Sequence, residues 1–253
     1  MMNRFKVISL SVFLAMFLCL IWVWGCTKQE KVLSDFELYN KGIDAFEGEK
    51  YLEARNYFQE IEDLYPNSQY LSFARVGIAN THYEEGVYDE AILAYQKIFE
   101  FYPLGKLSEW SQYRIGMSHF RQILEEDRDQ EETRNACSAF EKFLVQYPKS
   151  PLVNEARESY QICKSRLAGS ELHIAEFYFK NKAYGAAINR LQGILINYPL
   201  FTRKDEVLYY LAMSYEKEGD EALKKETIKK LIDQYHDSEF AKKLLKEESD
   251  KAN

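Results

Sequence analysis

The chain has 253 residues, with 33 Lys and Arg against 40 Asp and Glu, which gives a formal net charge of −7. This acidic balance argues against a nucleic-acid partner, because proteins that bind the phosphate backbone carry clustered excess Lys and Arg. Hydrophobic residues make up 46% and aromatic residues 15% of the chain, with only 5 Pro and 11 Gly. This composition excludes a disordered chain and predicts a folded, acidic, helix-rich protein.

The first 25 residues indicate targeting rather than a domain. Arg4 and Lys6 precede a long uncharged, apolar stretch, which is the order of regions in a secretory signal peptide. A glycine lies directly before Cys26, and this arrangement resembles the lipobox of bacterial lipoproteins, in which the cysteine is acylated. We predict a signal peptide over residues 1–25, lipidation at Cys26 and a lipidated linker over residues 26–34.

An uncleaved helical membrane anchor is the alternative for this segment, with its two tryptophans at the membrane interface. The apolar stretch is about 17 residues long, whereas a membrane-spanning helix needs about 20. The lipoprotein interpretation is therefore favoured. Both interpretations place the rest of the chain outside the cytoplasm and attached to a membrane.

Tyrosine followed by proline recurs along the remainder of the chain. A small residue stands twelve positions before each proline, and a large apolar residue stands eight positions before it. The fifth copy keeps the phase with histidine in place of proline and lysine in place of the small residue. The motifs are Tyr65-Pro66, Tyr102-Pro103, Tyr147-Pro148, Tyr198-Pro199 and Tyr235-His236. The small positions hold Ala54, Ala91, Ala136, Ala187 and Lys224, and the large positions hold Phe58, Tyr95, Phe140, Leu191 and Ile228.

This pattern resembles the tetratricopeptide repeat, a pair of antiparallel helices of about 34 residues. The small residue allows the two helices to approach, the large residue fills their seam, and proline ends the second helix because it lacks an N–H. We therefore predict an all-α, right-handed α-solenoid of about five tetratricopeptide helix hairpins with a C-terminal capping helix. The first helices supply further small residues at Gly42, Ala79, Gly116, Ala175 and Ala212.

Three segments depart from the regular repeat. The third copy carries extra residues from Glu125 to Glu132, whose acidic composition predicts a solvated loop. The fourth copy has a longer first helix, predicted from about Pro151 to Lys180. The capping helix is predicted over Ser238–Glu248, with an apolar side formed by Phe240, Leu244 and Leu245.

In a tetratricopeptide array the first helices line the concave face. The equivalent positions of the first three copies carry aromatic residues, which offer a large contact area to an extended peptide at low entropic cost. Tyr39, Tyr83, Trp110 and Tyr113 are expected to be exposed, since each has a polar group, whereas Phe36 and Phe46 fit a groove or a core position equally well. The predicted peptide-binding groove consists of Phe36, Tyr39, Phe46, Phe73, Tyr83, Trp110, Tyr113 and Phe120.

Signals for chemistry are weak throughout the chain. No nucleophile elbow, P-loop or zinc-binding helix is present, so we expect no catalytic site, no metal and no cofactor. Cys137 and Cys163 lie on neighbouring predicted helices. They are interpreted as two buried free thiols, although an oxidising compartment also permits a disulfide.

The stretch from Ser165 to Pro199 resembles the BamD family, lipoproteins of the outer-membrane β-barrel assembly machine. The loop inserted in the third copy and the long helix that opens the fourth also match the family. The residues that carry the resemblance are Arg166-Leu167-Ala168, Glu171-Leu172, Ala175-Glu176-Phe177-Tyr178, Ala183-Tyr184, Ala187 and Asn189-Arg190.

The resemblance implies a periplasmic scaffold held to the outer membrane by its lipid. Residues 35–150 would form repeats 1–3 with a groove for unfolded outer-membrane protein clients. Residues 151–248 would dock the periplasmic domains of the barrel-forming subunit, with a tail at 249–253. Arg190 matches a family arginine implicated in that docking, and an intramolecular ion pair is its alternative role.

Accessory assembly lipoproteins are further expected partners. A different envelope tetratricopeptide lipoprotein, one that coordinates cell-wall synthesis or division, is the alternative function.

Overall fold

The structure is a computed structural model that describes residues 32–252, with side chains through residue 247. Residues 1–31, which include the predicted signal peptide and Cys26, lie outside this range. The described chain forms eleven α-helices and no β-strand. The first six are α1 (Asp35–Glu47), α2 (Tyr51–Leu64), α3 (Leu71–Glu84), α4 (Tyr88–Phe101), α5 (Lys106–Phe120) and α6 (Glu131–Gln146). The remaining five are α7 (Val153–Lys180), α8 (Tyr184–Asn197), α9 (Lys204–Glu218), α10 (Glu221–Tyr235) and α11 (Glu239–Ala252).

Consecutive helices pack against each other along the array from α1 to α10. The first helices of successive hairpins also touch, because α1 contacts α3, α3 contacts α5, α5 contacts α7 and α7 contacts α9. Within the described chain, the second helices make no comparable contacts with one another. The first helices therefore form the inner layer of a curved solenoid, and α11 covers its end by packing on α9 and α10. The predicted all-α hairpin array is confirmed.

The seams between paired helices follow the repeat pattern. The predicted alanines of both helices are fully buried, and so are the large residues of copies one to four. The ring of Phe58 lies between Gly42 and Gly77 and occupies the space that a Cβ at either glycine would need. Phe140 fills the same role in the third copy, where a Cβ at Gly116 would lie 2.8 Å from its ring.

The turns between hairpins and the turns within a hairpin have different backbone conformations. In the first four copies the tyrosine directly follows the second helix as its C-cap, and its N–H still bonds the carbonyl four residues earlier before proline blocks further helix. The hairpin turns of copies one, two, four and five instead use a left-handed residue, which is Glu49, Gly86, Lys182 or Gly219. Only two of these four are glycine, so Glu49 and Lys182 adopt a conformation that costs a residue with a Cβ roughly 1–2 kcal/mol.

Helix α7 joins two parts of the array. It has 28 residues and is about 42 Å long at 1.5 Å per residue. Ala156 and Cys163 in its first half pack into a core with α5 and α6, while Leu172 and Ala175 in its second half pack with α8 and α9. The predicted long first helix is confirmed, and it begins two residues after Pro151.

The end of the array is less regular than predicted. Lys224 is buried at the small-residue position, where its Nζ lies 3.7 Å from Glu216. Ile228 is only half-buried, and Leu231 is the fully buried side chain of α10. In α11, Leu244 is buried as predicted. The prediction that Leu245 shares this apolar side is wrong, because Leu245 is half-exposed. The buried residue one turn before Leu244 is Ala241.

Replacement of Gly42 by alanine is expected to lower the free energy of unfolding by about 1–3 kcal/mol, the usual cost of overpacking. The Phe58 ring cannot retreat from the new methyl group because Gly77 holds its other side. Urea denaturation followed by circular dichroism measures the change. Gly193→Ala is the control, because the nearest atom to its Cβ is 4.0 Å away, and it should stabilise α8 by up to about 1 kcal/mol. Equal effects at both glycines would contradict the seam assignment.

Candidate functional site

Four aromatic rings gather at the start of α1 and α3 in the inner layer. Tyr39 stacks on Tyr70 with ring centroids 5.0 Å apart, and these two support Phe36 at 5.9 Å and Phe73 at 6.3 Å. Phe36 is 55% exposed and Phe73 is 52% exposed. We call these four residues the aromatic platform. It presents two exposed phenylalanine rings on a half-buried tyrosine pair and so offers apolar contact area at the surface.

Hydrogen bonds fix the platform to the turn that precedes α3. The hydroxyl of Tyr65 donates to the carbonyl of Leu33 at 2.6 Å, and the hydroxyl of Ser68 donates to Asp35 at 2.6 Å. Ser34 caps α1 in a capping box, which sets where the helix begins. The start of α1 is therefore bound to the turn that carries Tyr70, a platform residue that the repeat pattern did not reveal because it stands before its helix.

The expectation that Tyr83 and Tyr113 are exposed is wrong. They are 6% and 8% exposed, and their hydroxyls have partners inside the protein. Tyr83 accepts a hydrogen bond from Arg121 at 3.2 Å, and Tyr113 donates to Glu155 at 3.2 Å. Burial and the nearby Glu155 carboxylate raise the pKa of Tyr113 to about 12. The hydroxyl groups of Tyr83 and Tyr113 therefore bond side chains inside the protein instead of water.

Arg114 of α5 organises the inner surface next to these buried rings. Its guanidinium lies 3.6 Å from the centre of the Tyr83 ring and 5.2 Å from that of Trp110, both within cation–π distance. It also donates to the hydroxyl of Tyr95 at 3.1 Å and to Glu84 at 2.9 Å. The repeat pattern did not reveal this residue, which packs over the two rings.

The other predicted groove residues are half-buried. Trp110 lies beside Tyr113, with centroids 6.2 Å apart, and Phe120 packs edge-on against Phe140 at 6.1 Å. Phe46 packs edge-on against Tyr51 at 5.6 Å, at the opposite end of α1 from Phe36. The structure therefore does not bring all eight predicted rings into one exposed surface. The most exposed of them, Phe36 and Phe73, lie on the aromatic platform.

Most of the acidic insertion is exposed, as predicted, but the loop is also tied to the later helices by ion pairs. Glu125 pairs with Arg166 of α7 at 2.6 Å, and Glu126 pairs with Arg203, just before α9, at 2.9 Å. Glu126 approaches Gly169 so closely that a Cβ there would collide with its carboxylate. The side chain of Gln130 is buried and donates to two carbonyls of the loop. Opposite charges that lie far apart in sequence gave no local signal for this contact.

Arg190 of α8 has an intramolecular partner and an open side. Its guanidinium donates to Glu171 of α7 at 2.7 Å. The hydrogen bond and the negative charge of Glu171 raise the pKa of Arg190. The arginine side chain remains more exposed than that of Glu171, so the pair is formed at the surface rather than within the core.

Cys137 is half-buried and Cys163 is buried, and both are free thiols. Burial raises the pKa of Cys163 to about 12, which keeps this thiol protonated and unreactive at neutral pH. Within residues 32–252, no group of three His, Cys, Asp or Glu side chains is placed to hold a metal ion. No helix in that range is long and apolar enough to cross a membrane.

Paired helices with small residues at each seam, an inner layer of first helices and a capping helix define a tetratricopeptide-type repeat protein. Residues 32–231 match the model of the family described as YfiO, outer membrane lipoprotein. This match covers most of the sequence, and the chain belongs to that family.

Relatives from two bacteria agree with the family match. The chain is 28% identical over 178 residues to the outer membrane protein assembly factor BamD of Caulobacter vibrioides, over 70% of this chain and 58% of that relative. It is 29% identical over 232 residues to the protein of the same name from Haemophilus influenzae, over 87% of this chain and 88% of the relative.

Among solved structures, the chain is similar to the TPR2AB-domain:pHSP90-complex of yeast Sti1, at 14% identity and a TM-score of 0.48 over 82% of this chain and 80% of that one. The type IV pilus biogenesis factor PilW has a TM-score of 0.39 at 12% identity, over 83% of this chain and 98% of its own.

Replacement of Glu126 by alanine is expected to release the inserted loop, because its ion pair with Arg203 and its contact with Gly169 are lost. The global cost should stay within about 1 kcal/mol, since the pair is partly exposed. Hydrogen exchange of residues 121–130 should nevertheless become faster. Asp127→Ala, a neighbouring exposed carboxylate, is the control and should leave exchange unchanged. Equal protection in both variants would show that the loop does not depend on Glu126.

Proposed function

We propose that this protein is a periplasmic scaffold lipoprotein of the outer-membrane β-barrel assembly complex, attached to the outer membrane through lipid on Cys26. Membership of an outer membrane lipoprotein family supports the proposal, as do the relatives named as outer membrane protein assembly factors. The scaffold works by reversible binding and requires no chemistry of its own.

The aromatic platform is the observation that supports client binding. Strands of outer-membrane barrels alternate apolar and polar residues and carry aromatic girdles at both interfaces. When such an unfolded segment is extended, side chains two residues apart lie on the same face, so its aromatic residues can share one face. The open rings of Phe36 and Phe73, backed by the stacked Tyr39 and Tyr70, provide apolar surface for such side chains. We propose that the half-buried ring of Trp110 extends this surface along the inner layer.

The second half of the array is the proposed docking region for the barrel-forming subunit, with accessory lipoproteins as further partners. Arg190 supports this role because it lies at the surface of α8 and has donors beyond the one that bonds Glu171. A guanidinium has five N–H donors, so it can hold an internal carboxylate and still receive one from a partner.

The platform is tested by Phe36→Ala combined with Phe73→Ala. Binding of a peptide with alternating aromatic and polar residues should weaken by about tenfold or more, because aromatic anchors contribute about 2 kcal/mol or more when they are hot spots. Titration calorimetry gives the affinity. Leu93→Ala removes a similarly exposed apolar side chain from α4 in the outer layer and serves as the control. Unchanged affinity in the double variant, with unchanged helical circular dichroism, would reject the platform.

Docking is tested by Arg190→Glu, which should abolish capture of the barrel-forming subunit's periplasmic domains in a pull-down. Glu171→Ala is the matched control, since it removes the intramolecular pair but leaves the arginine available. A docking role predicts that only Arg190→Glu loses the partner. If both variants lower the melting temperature equally and both retain the partner, Arg190 has only the intramolecular role.

A further inference from the structure

We infer that the turns between the first three repeats form an edge that rests on the lipid surface, so that the anchor holds the solenoid in one orientation. This turn edge consists of residues 65–70, 102–106 and 147–152, together with Val32 at the start of the described chain. The inference rests on the proposed acylation of Cys26. It goes beyond that proposal by stating which side of the protein faces the membrane.

The anchor lies close to this edge. Val32 is six residues after Cys26, and six extended residues reach at most about 20 Å. The start of α1 is bound to the first turn, since Tyr65 donates to Leu33 and Ser68 donates to Asp35, each at 2.6 Å. The first turn is therefore held within about this distance of the lipid-bearing residue.

The other two turns lie on the same side as the first. Paired helices run in opposite directions, so every turn that leaves a second helix returns to the level at which the first helices begin. Ser150 in the third turn bonds Glu109 near the start of α5, and Ser108 bonds the carbonyl of Tyr102 in the second turn. The three turns thus follow one another along a single edge.

The turn edge combines apolar and cationic groups. Leu104 is 88% exposed, the highest value among large hydrophobic side chains with described burial, and Val32 is also exposed. Lys106 and Lys149 are exposed beside them, and the three turn segments contain no Asp or Glu. Exposed apolar side chains next to lysines suit the interface of a bilayer with anionic lipids.

The opposite edge of the same repeats differs mainly in its charge. Its hairpin turns, residues 48–50, 85–87 and 121–130, contain more acidic than basic residues: Glu49, Glu85, Glu125, Glu126, Asp127 and Asp129 against Lys50, Arg121 and Arg128. This polarity orients the three repeats, because anionic lipid attracts one edge and repels the other. Near the turn edge, Glu62 is neutralised by its ion pair with Arg75, whereas Asp63 and Glu100 at the ends of α2 and α4 stay exposed.

The second half of the array does not share this edge. Glu126 of the acidic edge pairs with Arg203 in the turn before α9. This contact places a turn of the later repeats level with the acidic edge of the earlier ones. Helix α7 therefore displaces repeats four and five away from the lipid by about half its length, or roughly 20 Å.

Tryptophan quenching tests the orientation in the full-length lipidated protein. Trp110→Phe removes the tryptophan that follows the predicted signal peptide, and Leu104→Trp then places a probe on the turn edge. Leu52→Trp is the matched control, because Leu52 is 65% exposed at the start of α2 on the opposite edge. Each variant is reconstituted into vesicles of phosphatidylethanolamine and phosphatidylglycerol with brominated acyl chains.

The probe at position 104 should lose at least half of its fluorescence to the brominated lipid, and the probe at position 52 should lose almost none. Equal quenching of the two probes, or none at either, in vesicles that carry the protein would overturn the orientation while leaving the anchor intact. Vesicle flotation and the mass of the acylated chain report the anchor separately. Failure to float would reject the anchor and, with it, this inference.

Discussion

The fit of an aromatic ring against glycine is the contact on which the first half of this array depends. Phe58 fills the space of two missing Cβ atoms, at Gly42 and Gly77, and so joins three successive helices. Phe140 repeats the arrangement against Gly116. Close approach of the helices follows from this fit, and it places the first helices of neighbouring hairpins in contact. The close packing of these helix pairs therefore produces the inner layer, and the aromatic platform lies on that layer.

A second constraint separates the two halves of the molecule. An ordinary hairpin helix here has 13 to 16 residues, whereas α7 has 28. Its extra turns offset the later repeats and leave a step beside the third copy. The acidic insertion fills that step, with Glu125 on Arg166 and Glu126 on Arg203. Two irregularities of the sequence are therefore one structural feature, since the loop occupies the space that the long helix creates.

The sequence predicts the elements well because helix pairing is encoded locally. The spacing of tyrosine, proline and small residues sets each hairpin, and the seam residues from Ala54 to Leu191 are buried as expected. Exposure on the inner layer was harder to predict, because it depends on partners distant in sequence. Tyr113 is buried by Glu155, and Tyr83 by Arg114 and Arg121. Gly77 and Tyr70 were missed because neither stands at a repeat position with a fixed residue type.

The continuity of α7 has a consequence for the proposed scaffold. Its first half shares a core with Tyr113 and Phe140, and its second half shares a core with Leu191 and Tyr215. The repeats that carry the proposed client surface and those that carry the proposed docking region are thus joined by one helix and braced by the inserted loop. Binding at one end then fixes the position of the other end, so the scaffold sets a distance between client and partner. A helix about 42 Å long with buried contacts in both halves transmits that spacing because bending it would break packed seams on both sides.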